Sequence, residues 1–154
     1  MNLPDGIRKK RSFLEIKYKN NWIAWNPYHS KLSAYILAKG KYWPFTRKSI
    51  VLYLGAAEGN TISYLSNLCS DGRIIGVDIS PTSMAELILL AEKKKNIIPF
   101  LGDAHFPEQY HPHVNSPDII YQELISAHQL LHWYQTLLCL KYHRHYQAYV
   151  DVGQ

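Results

Sequence analysis

Cysteine is nearly missing from this chain of 154 residues. Cys69 and Cys139 stand too far apart for a metal knuckle and are too few for a disulfide framework, which points to a reducing, intracellular compartment. No apolar run approaches a membrane span, and the N-terminus lacks the apolar core of a signal peptide, so no membrane partner is expected and the cytoplasm is the expected location. Internal repeats and low-complexity tracts are absent, which excludes a solenoid. Acidic residues are scarce, 12 against 17 Lys and Arg, giving a net charge of +5 and a pI near 9.1. That balance admits nucleic acid as a partner without excluding an ordinary basic protein. The excess is uneven. Arg8, Lys9, Lys10, Arg11, Lys17 and Lys19 crowd the start, and Lys39, Lys41, Arg47 and Lys48 form a second group.

What is present suits one folded domain with a real core, at 47% hydrophobic and 19% charged residues. Residues 1–11 are polar and basic, carry the turn signal Pro4-Asp5-Gly6, and read as a loose arm. Alternation over 12–18 and an aromatic stretch over 22–25, joined through Lys19-Asn20-Asn21, predict a small hairpin. Ser30 reads as the N-cap of a helix over 31–39 that Gly40 stops. Thereafter strands and helices alternate. Strands are predicted at 50–54, 73–79, 96–101, 118–121 and 147–152, with helices near 61–68, from 80 onward and over 124–141. This alternation means a doubly wound, mostly parallel sheet.

In such a sheet, ligands bind beyond the carboxyl ends of the strands. Ser49-Ile50-Val51-Leu52-Tyr53-Leu54 runs into Gly55-Ala56-Ala57-Glu58-Gly59-Asn60-Thr61, a buried strand entering a glycine turn that opens a helix. The glycines let a ligand approach the backbone, and the helix start offers free N–H groups. Asp78 follows Gly55 by 23 residues, close to the roughly 20 expected of an acid that grips ribose hydroxyls; a helix-capping role explains it equally well. Asp103, with the Ala104 N–H beside it, is placed to meet an adenine amino group, although a plain Gly-Asp turn is the simpler account. Gly-x-x-x-Gly is not the dinucleotide fingerprint, and no phosphate-loop lysine follows. Turn, acid and second acid falling after successive strands favour an adenosine-type ligand without a phosphate chain. S-adenosylmethionine fits.

Longer strings carry a sharper likeness. Trp25-Asn26-Pro27 with Ser30-Lys31-Leu32, Val51-Leu52-Tyr53-Leu54-Gly55-Ala56-Ala57, Asn96-Ile97-Ile98-Pro99 with Gly102-Asp103-Ala104, and Asp118-Ile119-Ile120-Tyr121-Gln122 resemble fibrillarin, and especially its archaeal fibrillarin-like RNA 2′-O-methyltransferases. The resemblance runs from about residue 22 to about 123. It implies an α/β, class I S-adenosylmethionine-dependent methyltransferase (Rossmann-like) sheet in strand order 3-2-1-4-5. Residues 30–154 would form that domain, lacking its last strands, behind a basic arm and reduced N-terminal hairpin at 1–29. It also implies ribose 2′-O-methylation of rRNA or tRNA inside a box C/D guide-RNA particle, with a Nop-domain scaffold and a kink-turn-binding protein as partners. Cofactor contacts would fall on Gly55, Ala56, Gly59, Asn60 and Thr61, then Asp78 and Ile79, then Asp103 and Ala104. Lys31 and Glu123 take the places of the family's first catalytic lysine and its aspartate.

The likeness also has gaps. Asn60 stands where the family usually has threonine, Ile79 where it has an aromatic, and Glu123 reaches one methylene further than aspartate. Glu123-Leu124-Ile125-Ser126 departs throughout from the family's last cofactor segment. The second catalytic lysine would fall near Val152, no lysine follows Lys141, and the family's catalytic histidine has no counterpart. Lys141-Tyr142-His143-Arg144-His145-Tyr146 occupies the place of a Gly-Gly turn. His128, His132, His143 and His145 accumulate in this tail without completing a recognisable zinc set, so no metal is expected. A frameshifted gene end would produce the same break. Missing strands would expose a sheet edge and favour reliance on a partner. Two other readings stay open: an inactive relative that keeps cofactor or scaffold binding, and a small-molecule methyltransferase sharing only the cofactor half.

Overall fold

The computed structural model describes residues 3–40, 42–114 and 117–123, together with the backbone of 148–151. Five parallel strands form the main sheet: β4 (Ile50–Leu54), β5 (Arg73–Asp78), β6 (Ile97–Leu101), β7 (Ile119–Gln122) and β8 (Ala148–Asp151). Their order is β6-β5-β4-β7-β8, the expected 3-2-1-4-5. Because β4 is central and uncharged, alternate side chains enter cores on both faces of the sheet. Val51 and Tyr53 point into one core with Ile74, Ile119 and Tyr121, while Leu52 and Leu54 join Ile75, Val77 and Ile120 in the other. Asp118 sets the β4–β7 register: its Oδ2 accepts the Ile50 N–H at 2.8 Å and its own N–H donates to the Ile50 carbonyl.

Three helices cover the first face, α1 (Lys31–Leu37), α2 (Asn60–Leu68) and α3 (Pro81–Lys93), the last capped by Ser80 with Pro81 in the first turn. On the other face lie α4 (Pro107–Tyr110) and a 3₁₀ turn at His111–His113, both unpredicted, with Tyr110 fully buried. Gly76 shows how closely α2 and α3 approach β5. A Cβ there would stand 2.8 Å from Ile62 Cδ1 and 3.1 Å from a Leu87 methyl.

The N-terminal prediction requires correction. Residues 1–11 are not a loose arm throughout: β1 (Ile7–Lys10) pairs antiparallel with β2 (Phe13–Tyr18), which pairs with β3 (Asn21–Trp25). The expected hairpin is therefore two-thirds of a three-stranded sheet. Polarity concealed β1 because its only buried side chain is Ile7, while Arg8 and Lys10 project beside Glu15. Both cations bind that carboxylate, at 2.6 and 2.9 Å, and Arg8 also lies over the Trp22 ring. Leu14, Ile16 and Trp25 enter the same core as Val51 and Ile62, so the small sheet packs on the large one.

Helix α1 also ends earlier than expected. Lys39 takes the left-handed conformation (φ 62°), and the Tyr35 ring fills the space where a Cβ on residue 40 would stand, so position 40 requires glycine. The predicted helix over 124–141, the four tail histidines and the segment 124–126 lie outside the described residues. No described helix is long and apolar enough to cross a membrane, and no cluster of three metal-ligating side chains occurs among the described residues.

Candidate active site

Strand β4 delivers the chain into a turn whose geometry follows from its glycines. Gly55 (φ 77°) and Gly59 (φ 101°) occupy positive-φ conformations that cost a side-chain-bearing residue energy. Gly55 and Ala56 both donate to the Val77 carbonyl, at 2.9 and 3.1 Å, which folds the turn against the end of β5. Ala57 also has positive φ (47°), and its N–H donates at 2.7 Å to Asp78 Oδ2. Asp78 Oδ1 accepts from the Ser80 N–H at 2.9 Å. Asp78 thus holds the glycine turn with one oxygen and the start of α3 with the other. A carboxylate has about four acceptor positions, so lone pairs remain for a ligand hydroxyl.

Gly59 is the N-cap of α2 and, having no side chain, leaves the first-turn amides without a side-chain cap. Those N–H groups and the helix dipole suit a ligand carboxylate. In front of them opens a cleft of about 340 Å³. Ala56, Ala57, Asn60 and Thr61 form its wall on the turn side, Glu123 and Tyr53 lie at its base, and Tyr28, His29 and Lys31 form the facing rim.

Glu123 reaches the cleft because its N–H donates to the Leu54 carbonyl at 3.0 Å, prolonging the β4–β7 pairing by one residue. Three hydroxyls surround its carboxylate. Tyr53 donates to Oε2 at 2.6 Å, Tyr121 donates to Oε1, and Thr61 Oγ1 lies 3.3 Å from Oε1. Burial, then the neighbouring charge of Glu123, pushes the Tyr53 phenol well above its ordinary value of 10, so it remains a neutral donor. The two tyrosine rings meet edge to face at 4.7 Å, and Phe45 packs against Tyr121.

On the opposite side, Ser30 caps α1 by accepting from the Ser33 N–H at 3.4 Å, which makes Lys31 the first helical residue. The Ser33 hydroxyl is tied to the Trp25 carbonyl at 3.1 Å. Thr61 Oγ1 lies 3.0 Å from Ser30 Oγ, so one buried hydroxyl links the start of α1 to Glu123. Lys31 itself is exposed on the cleft rim. An exposed cation and a clamped carboxylate lining one cleft beside open helix amides can bind a ligand carboxylate and stabilise charge as a hydroxyl loses its proton.

The sequence profile of the fibrillarin family matches residues 9–141. A fibrillarin-like rRNA/tRNA 2′-O-methyltransferase of Methanothrix thermoacetophila is 45% identical over 105 residues, covering 68% of this chain and 50% of the relative. That of Picrophilus torridus is 40% identical over 124 residues, covering 80% of this chain and 55% of the relative. The chain belongs to the fibrillarin family. It spans about half the length of these relatives. Among solved structures it resembles fibrillarin in a complex with Nop5p, with a TM-score of 0.83 and 31% identity over 90% of this chain and 71% of that one. It also resembles Aeropyrum pernix fibrillarin with natively bound S-adenosyl-L-methionine, with a TM-score of 0.75 and 31% identity over 86% of this chain and 58% of that one. The fold is the class I methyltransferase α/β fold.

Within this fibrillarin fold, Lys31, Ala56, Asn60, Thr61 and Glu123 share the cleft, while Gly55 and Gly59 shape the turn behind it. Asp78, Ile79, Asp103 and Ala104 do not line the cleft itself: Asp78 ends β5 and bonds Ala57 in the cleft wall, Ile79 follows it, and Asp103 and Ala104 follow β6. Ile79 is 64% exposed, and Ala104 is buried. Asp103 is engaged locally, accepting the His105 N–H at 2.9 Å on Oδ1, which also contacts the His105 ring. Its N–H donates to Gln109 Oε1 at 3.3 Å. The position matching the second lysine, near Val152, lies outside the described residues.

Sequence reasoning missed the tyrosines that hold Glu123. The signal was available, because Tyr53 and Tyr121 are phenols on strands otherwise suited to full burial, and a buried hydroxyl needs a partner. It also missed the Ser30–Thr61 link and the rim residues Tyr28 and His29.

Proposed function

We propose that this chain is the cofactor-binding part of an S-adenosylmethionine-dependent ribose 2′-O-methyltransferase acting on rRNA or tRNA in the cytoplasm. By kinship with its relatives it would work in a box C/D guide-RNA particle, with a Nop-domain scaffold and a kink-turn-binding protein. One observation carries this reading: Lys31 and Glu123, far apart in sequence, share a cleft with the uncapped start of α2. Residues 30–123 would supply this site, and the small sheet before residue 30 would act as its accessory.

In this reading the α2 amides, with Asn60 and Thr61, hold the amino-acid end of the cofactor. Asp78 receives ribose hydroxyls while retaining its two backbone bonds. Asp103, Ala104 and Ile79 flank the adenine. When bound, the cofactor supplies an electrophilic methyl group. Lys31 stabilises negative charge growing on the target 2′-oxygen, and Glu123 orients or receives its proton. Tyr53, Tyr121 and Thr61 fix where that carboxylate points, which matters because a displacement on the order of 1 Å can cost roughly 100-fold in rate.

A second reading, a relative that binds the cofactor without turnover, is favoured by the three hydroxyls on Glu123, which occupy a carboxylate that must also receive a proton. Two measurements separate the readings. Calorimetry with S-adenosylmethionine should show binding that Asp78→Ala weakens at least tenfold; no heat from the intact chain would remove both. Methyl transfer by the assembled guide-RNA particle should fall about 100-fold or more in Lys31→Ala. Cofactor binding without any transfer would establish the second reading.

A further inference from the structure

A second cavity, of about 210 Å³, lies between the start of the chain, the small sheet and the end of α1, and shares no residue with the candidate active site. Leu14, Ile36, Leu37 and Trp43 make its lining apolar, and its charged residues are Lys9 and Lys39. Contacts elsewhere fix the walls. Leu14 and Ile36 belong to the main core, and Trp43 meets Phe45 edge to face at 5.0 Å. The Tyr42 N–H donates to the Tyr35 hydroxyl at 3.0 Å, which ties the chain leaving α1 back to the helix. An apolar cavity of roughly 150 Å³ holds a benzene ring, so this one has room for an aromatic side chain.

The two lysines differ from the cations around them. Arg8 and Lys10 both bind Glu15, and Arg47 binds Asp71, whereas neither Lys9 nor Lys39 has an ion-pair partner among the described residues. Lys9 pairs with Leu14 in the β1–β2 register and shares its side of the small sheet with Ile7. Lys39 donates its N–H to the Ile36 carbonyl at 3.0 Å and holds a left-handed conformation ordinarily given to glycine at a helix end. Lysine is costlier there than glycine. What it adds is a cation beside an apolar cavity. One lysine comes from each of the two basic groups in the sequence.

We propose that this cavity docks an acidic segment of a partner protein, seating one large apolar side chain between α1 and the small sheet. The apolar lining supplies the anchor, as in the pockets of interface hot spots, and the unpaired lysines favour carboxylates beside that anchor. A nucleic acid would meet the lysines through its phosphates and leave the apolar lining unfilled. The inference is independent of the cofactor cleft, so it stands or falls apart from the functional reading above.

The test follows the fluorescence anisotropy of a labelled peptide on the full chain. The probe is a short peptide with one central tryptophan flanked by aspartates and glutamates. Wild type should bind it. Replacing the tryptophan by serine should weaken binding at least about tenfold, and replacing the acids by their amides should remove its salt dependence. Lys9→Gln and Lys39→Gly should each weaken binding roughly two- to fivefold, the worth of one exposed ion pair. Because Lys39→Gly also relieves the positive φ, it should melt at or above wild type while binding more weakly, a separation that a purely structural lysine would not show. Amide NMR shifts induced by the peptide should cluster at Lys9, Leu37, Lys39 and Gly40. No binding to wild type, or shifts confined to other surfaces, would overturn the inference. So would an affinity indifferent to the tryptophan, or displacement of the peptide by a polyuridine RNA of equal charge, since either means that charge alone is read. A dimer in sedimentation that Leu37→Asp disperses would give the cavity to a second copy of the chain and overturn the acidic partner. Calorimetry with S-adenosylmethionine should be unaffected by the peptide in every case.

Discussion

The Tyr53→Phe substitution isolates the contact on which the candidate site depends. Phenylalanine fills the same volume at this buried position, so no cavity opens, and only the 2.6 Å hydrogen bond to Glu123 is lost. Hydrogen bonds to charged groups contribute about 1.5–3 kcal/mol. Tyr121 and Thr61 continue to hold the carboxylate, so the lower end applies, about 1.5 kcal/mol. For a chain of this size that is a fall of roughly 3–6 °C in Tm. A double-mutant cycle with Glu123→Gln should give a coupling of about 1 kcal/mol. The pH dependence has a defined sign. A phenol whose folded pKa is raised contributes stability that is complete below its ordinary value of 10 and is lost as pH rises toward the folded value. Wild type should therefore lose alkaline stability that Tyr53→Phe does not. Thermal melts across pH supply both readouts. A coupling within about 0.3 kcal/mol of zero would refute the clamp, since independent sites add to that precision.

Three further outcomes are expected. Gly59→Ala places a Cβ 2.7 Å from a Leu90 methyl in a backbone with φ 101°, and should cost at least about 1–2 kcal/mol and lower cofactor affinity; an unchanged melt would contradict this account of the turn. Lys10 and Arg8 hold the Glu15 carboxyl below the usual glutamate range, so its contribution is complete above that range and is lost as pH falls below it through the folded value. Glu15→Gln should flatten part of the acid-side loss seen in melts, with Asp71, lowered by Arg47, supplying a residual slope. Burial pushes the Cys69 thiol up to about 12, so alkylation mapped by mass spectrometry should spare it at mildly alkaline pH until denaturant is added.

Much of the architecture was written locally. Ile50 to Leu54 lacks charge because both faces of β4 are covered, and Gly55 and Gly59 mark positive-φ positions where the backbone turns. Ser30, Ser80 and Pro81 announce helix starts by short-range chemistry, and all three lie where that chemistry predicts. Strand β1 was illegible because its evidence is non-local. Arg8 and Lys10 look like a solvated arm until Glu15 and Trp22 are brought beside them. Gly40 reads as a helix stop, yet Lys39 takes the left-handed conformation, and the Tyr35 ring fills the space that a Cβ on residue 40 would need.

For the candidate site, the sequence alone offered the candidates: a glycine turn, acids at the ends of successive strands, and Lys31 and Glu123 by family resemblance. Only the tertiary structure decided how these divide. It placed Lys31, Thr61 and Glu123 around one cleft, left Asp103 beyond it, and engaged Asp78 in holding the turn. The physical reason is range. Caps, turns and strand patterns are settled within a few residues, whereas the Tyr53–Glu123 and Ser30–Thr61 contacts join residues 70 and 31 positions apart and exist only once β4, β7 and α1 have packed.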